Sequence, residues 1–119
     1  MKENTINTTD YIIKNIHNKI FSPIYLLMGK EPYFIDVITN AILNNVLTED
    51  EKDFNQSILY GKDINVFDLM TMARRAPMMS NYQLIVVKEA QLLSKIAELD
   101  SYLKNPLKST ILVLCYKYE

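Results

Sequence analysis

Residues 23–36, Pro23-Ile24-Tyr25-Leu26-Leu27-Met28-Gly29-Lys30-Glu31-Pro32-Tyr33-Phe34-Ile35-Asp36, constrain the fold more than any other stretch. An apolar run ends at Gly29, and a second apolar-rich run begins just past Pro32. Strand, tight turn and helix fit that order. It is the layout of a phosphate-binding loop, which requires a glycine, four residues and then Gly-Lys-Ser/Thr. Counted from Gly29, those last three places hold Phe34, Ile35 and Asp36. The lysine that would meet phosphates and the hydroxyl that would hold magnesium are both missing. Asp36 adds negative charge where a polyphosphate would sit. Gly29, Lys30, Glu31 and Pro32 therefore read as a degenerate nucleotide loop in a nucleotide-type fold that does not bind nucleotide.

The rest of the chain supplies the other layers. Residues 1–8 read as a disordered lead. A first helix, capped by Thr8 or Thr9, is expected to run to about Ile20 with Ile12, Ile13, Ile16 and Ile20 on one face. Phe21-Ser22-Pro23 ends it. The first strand, Ile24–Met28, shows no alternation and reads as covered on both faces, as in a parallel sheet. A helix over 32–47 follows, with Pro32 in its first turn, where a missing N–H costs nothing. Phe34, Ile35, Val37, Ile38, Ala41, Ile42 and Val46 give it a broad apolar face. Thr48-Glu49-Asp50-Glu51-Lys52 reads as an exposed charged connection.

The second strand, about 54–60, alternates partly and reads as less buried, near the sheet edge. After Gly61, Asp63 or Asn65 caps a helix carrying Val66, Phe67, Leu69, Met70 and Ala73. That helix ends near Arg75, and Pro77 stops it. Residues 83–87 are a third, continuously apolar strand. A helix bearing Leu92, Leu93, Ile96, Leu99 and Leu103 leads to Asn105-Pro106, and residues 110–115 form a fourth strand. Strands alternating with helices predict an α/β fold: three layers, a parallel sheet with helices on both faces. A doubly wound sheet that halts just after an apolar strand is expected to continue, which implies a longer protein and one edge in need of a partner strand.

The 119 residues suit one compact domain. Thirteen basic and fourteen acidic side chains leave a formal net charge of −1, so the chain lacks the global basic field of non-specific DNA binders. Its one cysteine, Cys115, excludes an internal disulfide and fits a reducing compartment. The polar N-terminus does not resemble a secretion signal, and no apolar run nears the ~20 residues of a membrane span. Cytoplasmic location and no membrane partner follow as expectations.

The second nucleotide signature is absent too. In phosphate-loop ATPases a magnesium-directing acid closes an apolar strand. Here Leu84-Ile85-Val86-Val87 is followed by Lys88, of the wrong charge, and then by Glu89. Phosphoryl transfer depends strictly on those charges, so two failed boxes point to lost hydrolysis in a retained architecture. No other catalytic set stands out. His17 and Cys115 lie about a hundred positions apart with no activating motif, and His17 reads as a surface residue. No metal-ligand spacing is present. No metal and no cofactor are expected.

Taken together, residues 23–34 resemble the opening of the delta subunit of bacterial DNA polymerase III, a clamp-loader subunit. Ala76-Pro77-Met78-Met79-Ser80-Asn81-Tyr82-Gln83-Leu84-Ile85-Val86-Val87 resembles that family's second signature, a bulky apolar pair before a small or polar residue and a hydrophobic strand. Lys88-Glu89-Ala90, and Leu103-Lys104-Asn105-Pro106 before Ser109-Thr110-Ile111-Leu112-Val113, also fit. The resemblance covers roughly residues 20–117. It implies an AAA+-like first domain at 23–119, preceded by a lead and helix at 1–22, with the family's lid and helical collar domains absent.

The resemblance further implies a domain that binds the ring-shaped sliding clamp (the beta subunit) and helps open it for loading onto DNA, with no intrinsic ATPase activity. The full subunit would belong to the DNA-directed DNA polymerase holoenzyme. The other clamp-loader subunits, gamma/tau and delta prime, would be partners of the full-length protein, and DNA would be met only through the assembled complex. The clamp-contacting pair falls on Met78 and Met79, where many members carry Leu and Phe-like residues. Pro77, Ser80, Arg74 and Arg75 flank it.

The residues support this reading physically. Two large apolar side chains after a helix-stopping proline cannot both pack inward from an extended loop. Exposed apolar groups with a polar surround mark binding sites, and flexible methionine suits an adaptable pocket. The alternative is that the pair plugs the end of the core. Arg74 and Arg75 suit the negative end of the preceding helix and are also placed to meet acidic partner residues. Two other functions stay open on sequence: an atypical nucleotide-binding enzyme using Gly29 and Lys30, and an adaptor of the same fold with a different protein partner.

Overall fold

A computed structural model describes residues 2–30 and 32–117. The elements run α1 (Lys2–His17), β1 (Ile24–Gly29), α2 (Pro32–Asn45), α3 (Glu49–Asn55), β2 (Gln56–Tyr60), α4 (Val66–Ala73), β3 (Gln83–Lys88), α5 (Asp100–Lys104) and β4 (Thr110–Lys117). The four strands form one parallel sheet in the order β1-β4-β3-β2. Non-sequential neighbours require helical crossovers, and these cover the two faces. On one face Ile16 of α1 and Ile35, Ile38 and Ile42 of α2 pack on Tyr25, Leu27, Leu84, Val86, Ile111 and Val113. On the other, Val66, Leu69 and Ala73 of α4, with Leu93, Leu99 and Tyr102, pack on Ile85, Val87, Leu112 and Leu114. The three-layer reading therefore holds.

Four local expectations change. The first helix begins at Lys2, so residues 2–8 continue it instead of forming a disordered lead, and Thr8 and Thr9 lie inside it. Extending a helix costs far less than nucleating one, so a polar segment can follow an amphipathic one. The charged connection at 48–52 is the start of α3. Thr48 and Glu51 make a reciprocal capping box, with the Thr48 hydroxyl accepting from the Glu51 N–H and the Glu51 carboxylate from the Thr48 N–H. The single helix expected across 90–104 is broken into 3-10 turns at Ala90–Leu92 and Ile96–Leu99 followed by α5. Glu89 and Lys95 have left-handed φ of 54° and 59°, and Ser94 pairs in parallel with Asn65, which holds that backbone away from helical geometry.

The fourth change concerns β1. It is an edge strand with Tyr25 and Leu27 buried and Leu26 and Met28 exposed. The expected two-faced cover is present over β3 and β4, whose residues 84–87 and 110–115 are buried. β2 is the opposite edge, as its alternation indicated. His17 is exposed, and Phe67, read as part of the apolar face of α4, points to solvent.

Candidate functional site

The C-terminal edge of a parallel sheet is where open α/β folds place ligands. Here β1 ends at Gly29 and α2 begins at Pro32, so only Lys30 and Glu31 connect them. Gly29 has φ 155°, a backbone state L side chains rarely adopt, which explains the glycine at this turn. A phosphate cradle needs a run of backbone N–H groups between strand and helix, and two residues do not provide it. Lys30 and Pro32 are exposed, and Glu31 lies outside the described residues.

Next to this turn is a cavity of about 370 Å³ lined by Asp36, Thr39, Asn40, Tyr60, Lys88, Glu89, Cys115 and Lys117. Its two lysines face two acids, and Lys117 Nζ lies 3.7 Å from Asp36. Burial pushes the Cys115 thiol up, against a weaker opposing contact from Thr39 at 3.4 Å. A buried thiol with a raised pKa is a poor nucleophile. Among the described residues no group of three His, Cys, Asp or Glu side chains is placed to hold a metal.

The opposite, N-terminal edge carries the methionine pair. The loop of residues 74–82 leads from α4 into the start of β3, and its first end is tied down by side-chain hydrogen bonds, one of them buried. The Thr110 hydroxyl donates to the Ala73 carbonyl at 2.6 Å. Gln83 Nε2 donates to the carbonyls of Met72 at 3.0 Å and Arg75 at 3.3 Å. These bonds satisfy carbonyls that a helix C-terminus leaves without partners. Arg74 caps α4, with its guanidinium 5.6 Å from the centre of the Tyr102 ring.

The far side of the loop is held by α3. Asn55 is only 3% exposed. The Met78 N–H donates to Asn55 Oδ1 at 2.7 Å, while Asn55 Nδ2 donates to the carbonyls of Met78 and Glu51, both at 2.9 Å. One amide thus locks the Met78 backbone to the last turn of α3. Ser80 adds a local turn, donating to the Tyr82 carbonyl at 3.0 Å. The hydrogen bond from the Thr48 N–H holds the Glu51 carboxyl below the usual carboxylate range.

Between these anchors Met78 is 60% exposed and Met79 is fully exposed. Met79 has φ 53°, a left-handed state uncommon for a residue other than glycine, and it stands at the loop tip. The pair does not plug the core. Pro77 and Ser80 are half-buried beside it, and Arg74 and Arg75 are exposed. The groove that the two methionines share, of about 380 Å³, is lined otherwise by Asp50, Glu51, Phe54 and Asn55. None of these four was singled out from the sequence. Thr48-x-x-Glu51 is a capping-box pattern, and it was the available signal that a helix stood there.

The fold and this site define a class: a doubly wound domain of nucleotide-fold type, with a short β1–α2 connection on one sheet edge and an exposed, hydrogen-bonded apolar loop on the other. The family model for the DNA polymerase III delta subunit matches residues 25–119, so the chain belongs to that clamp-loader family of DNA replication. It is 28% identical over 107 residues to the DNA polymerase III subunit delta of Bacillus subtilis, covering 82% of this chain and 31% of that protein. The solved Bacillus subtilis DNA clamp loader delta protein superposes with a TM-score of 0.83 at 26% identity, over 93% of this chain and 36% of that one. A DNA polymerase III gamma subunit-related protein from Thermotoga maritima shares the fold, with a TM-score of 0.55 at 13% identity, over 92% of this chain and 39% of that one. The chain spans about a third of the length of the delta proteins it matches.

Proposed function

We propose that this chain binds the sliding clamp through Met78 and Met79 and helps to open it, without hydrolysing ATP itself. The carrying observation is a pair of large apolar side chains presented to solvent on a loop anchored at both ends, in a member of a clamp-loader family. Anchoring matters because a pre-organised loop loses little conformational entropy on docking. The pair enters an apolar pocket of the clamp. Binding favours the clamp conformation with a loosened subunit interface, so the driving force is differential affinity for that form.

The two-residue β1–α2 turn and Lys88 at the end of β3 support a protein that leaves hydrolysis to its partners. Those partners are the gamma/tau and delta prime subunits, met through the full-length protein, and DNA is met through the assembled holoenzyme. Among the described residues no helix is long and apolar enough to cross a membrane, which accords with a cytoplasmic replisome.

The test is calorimetric titration of the chain with its cognate sliding clamp, beside Met78→Ala/Met79→Ala with its fold checked by circular dichroism. Binding by the native chain and its loss in the folded double variant are expected. Equal binding by both would remove the site assignment. Failure of both this chain and the full-length subunit to bind would remove the function.

A further inference from the structure

We infer that Phe54 is a third contact of the Met78–Met79 surface, and that the groove they share receives an apolar side chain flanked by a lysine or arginine on the partner protein. The inference rests on the reading of the methionine pair as a protein contact.

Phe54 sits on the last turn of α3, directly before Asn55, the residue that locks Met78. It is 73% exposed and makes no contribution to either core cluster. A large aromatic group on the solvent side of a short, well-capped helix is not placed there by packing into the core. Its position beside two exposed methionines, around one groove of about 380 Å³, joins all three into one apolar surface. Contiguous exposed apolar surface of this kind marks interaction sites, and aromatic anchors are enriched among the residues that dominate interface energies.

The rim of the groove decides the chemistry of the occupant. Asp50 and Glu51 stand on its wall. The α3 segment carries Glu49, Asp50, Glu51 and Asp53 against Lys52, and Lys52 is already paired with Glu49 at 2.9 Å. Asp50 has no ion-pair partner among the described residues. An apolar floor with an acidic lip complements an apolar side chain next to a cation. An acidic neighbour on the partner would be repelled, so the lip selects among apolar partners as well as attracting one.

The experiment measures binding of the full chain to its cognate sliding clamp at low and high salt, for the native protein, Phe54→Ala, Asp50→Lys and Phe67→Ala. Phe67 is a control matched in chemistry and exposure, at 72%, but placed at the start of α4. Phe54→Ala is expected to weaken binding about tenfold or more, as for an aromatic anchor, with circular dichroism unchanged. Phe67→Ala is expected to bind as the native chain does. Asp50→Lys is expected to weaken binding several-fold at low salt and to converge on the native affinity at high salt, where screening removes the charge effect.

Native-like binding by Phe54→Ala, while Met78→Ala/Met79→Ala loses it, would overturn this inference and leave the clamp-binding function standing. Tighter binding by Asp50→Lys at low salt would overturn the basic-neighbour chemistry. Absence of binding by the native chain and by the full-length subunit would remove both readings together.

Discussion

The C-terminal edge of the sheet holds a two-residue β1–α2 turn, a strand-end lysine at Lys88 and a cavity whose lysines and acids balance. The N-terminal edge holds Met78, Met79 and Phe54, exposed around one groove on a loop and helix that four hydrogen-bonding side chains secure. The fold usually puts its chemistry at the first edge. In this chain the first edge has a short β1–α2 connection beside a charge-balanced cavity, and the exposed apolar surface is at the second. A sheet fixes both edges at once, so binding can be lost from one and elaborated on the other without disturbing the core between them.

The largest effect expected from breaking this contrast is on the N-terminal edge. Burying a methionine fully is worth ~1.5–3 kcal/mol, so Met78→Ala/Met79→Ala should weaken clamp binding by about a hundredfold or more in calorimetry. Gly61→Ala tests the other edge. An added Cβ at Gly61 would run into the Glu89 backbone carbonyl. Urea unfolding should show a loss of about 3 kcal/mol, while clamp affinity of the folded protein stays unchanged. A parallel fall in affinity would show that the two edges are coupled.

Asn55→Ala should act on both properties together. It removes the partners of the Met78 N–H and carbonyl, at a cost of about 2 kcal/mol in urea unfolding, and it should also lower clamp affinity by freeing the loop. Unchanged affinity would mean that the lock on Met78 is irrelevant to binding. Thr48→Ala removes the cap of α3 and should cost about 1 kcal/mol.

Acid tests the same cap. The Glu51 carboxyl has a lowered pKa in the folded chain, so the unfolded chain binds the proton more readily. Its stabilisation is complete above the unfolded carboxyl's pKa and disappears as pH falls through the lowered folded value. Amide exchange in α3 should therefore stay constant from neutral pH down to the carboxylate range, once corrected for intrinsic rates, and show extra opening below it. The smallest effect is expected from nucleotide: magnesium-ATP should leave the melting temperature unchanged, and a rise would return binding function to the C-terminal edge.

Much of this was legible in the residues. Val86 and Ile111 lie in uninterrupted apolar runs, and both strands are buried on two faces. Gly29 and Pro32 bracket the turn they were read to bracket. Met78 and Met79 were read as a pair that could not both turn inward, and both are exposed. Leu26 and Met28 misled, because an edge strand and a central strand carry the same apolar run when only the position in the sheet differs. Phe54 alternates with Ser57 or Ile58 and Tyr60 as a strand residue would, yet the Thr48–Glu51 capping box sets a helix there.

The sequence by itself determined the four strands, the helices α1, α2 and α4 between them and the place of the methionine pair, since each depends on residues near one another along the chain. Only the tertiary structure decided that β1 lies at an edge, that the segment before β4 breaks at Glu89 and Lys95, that Asn55 bonds to Met78, and that Phe54 lines the same groove as the methionines. Those outcomes depend on contacts between distant segments, such as the bond from Met78 to Asn55 across 23 positions. Local propensity and spacing carry no record of which distant group will complete a hydrogen bond or cover a face.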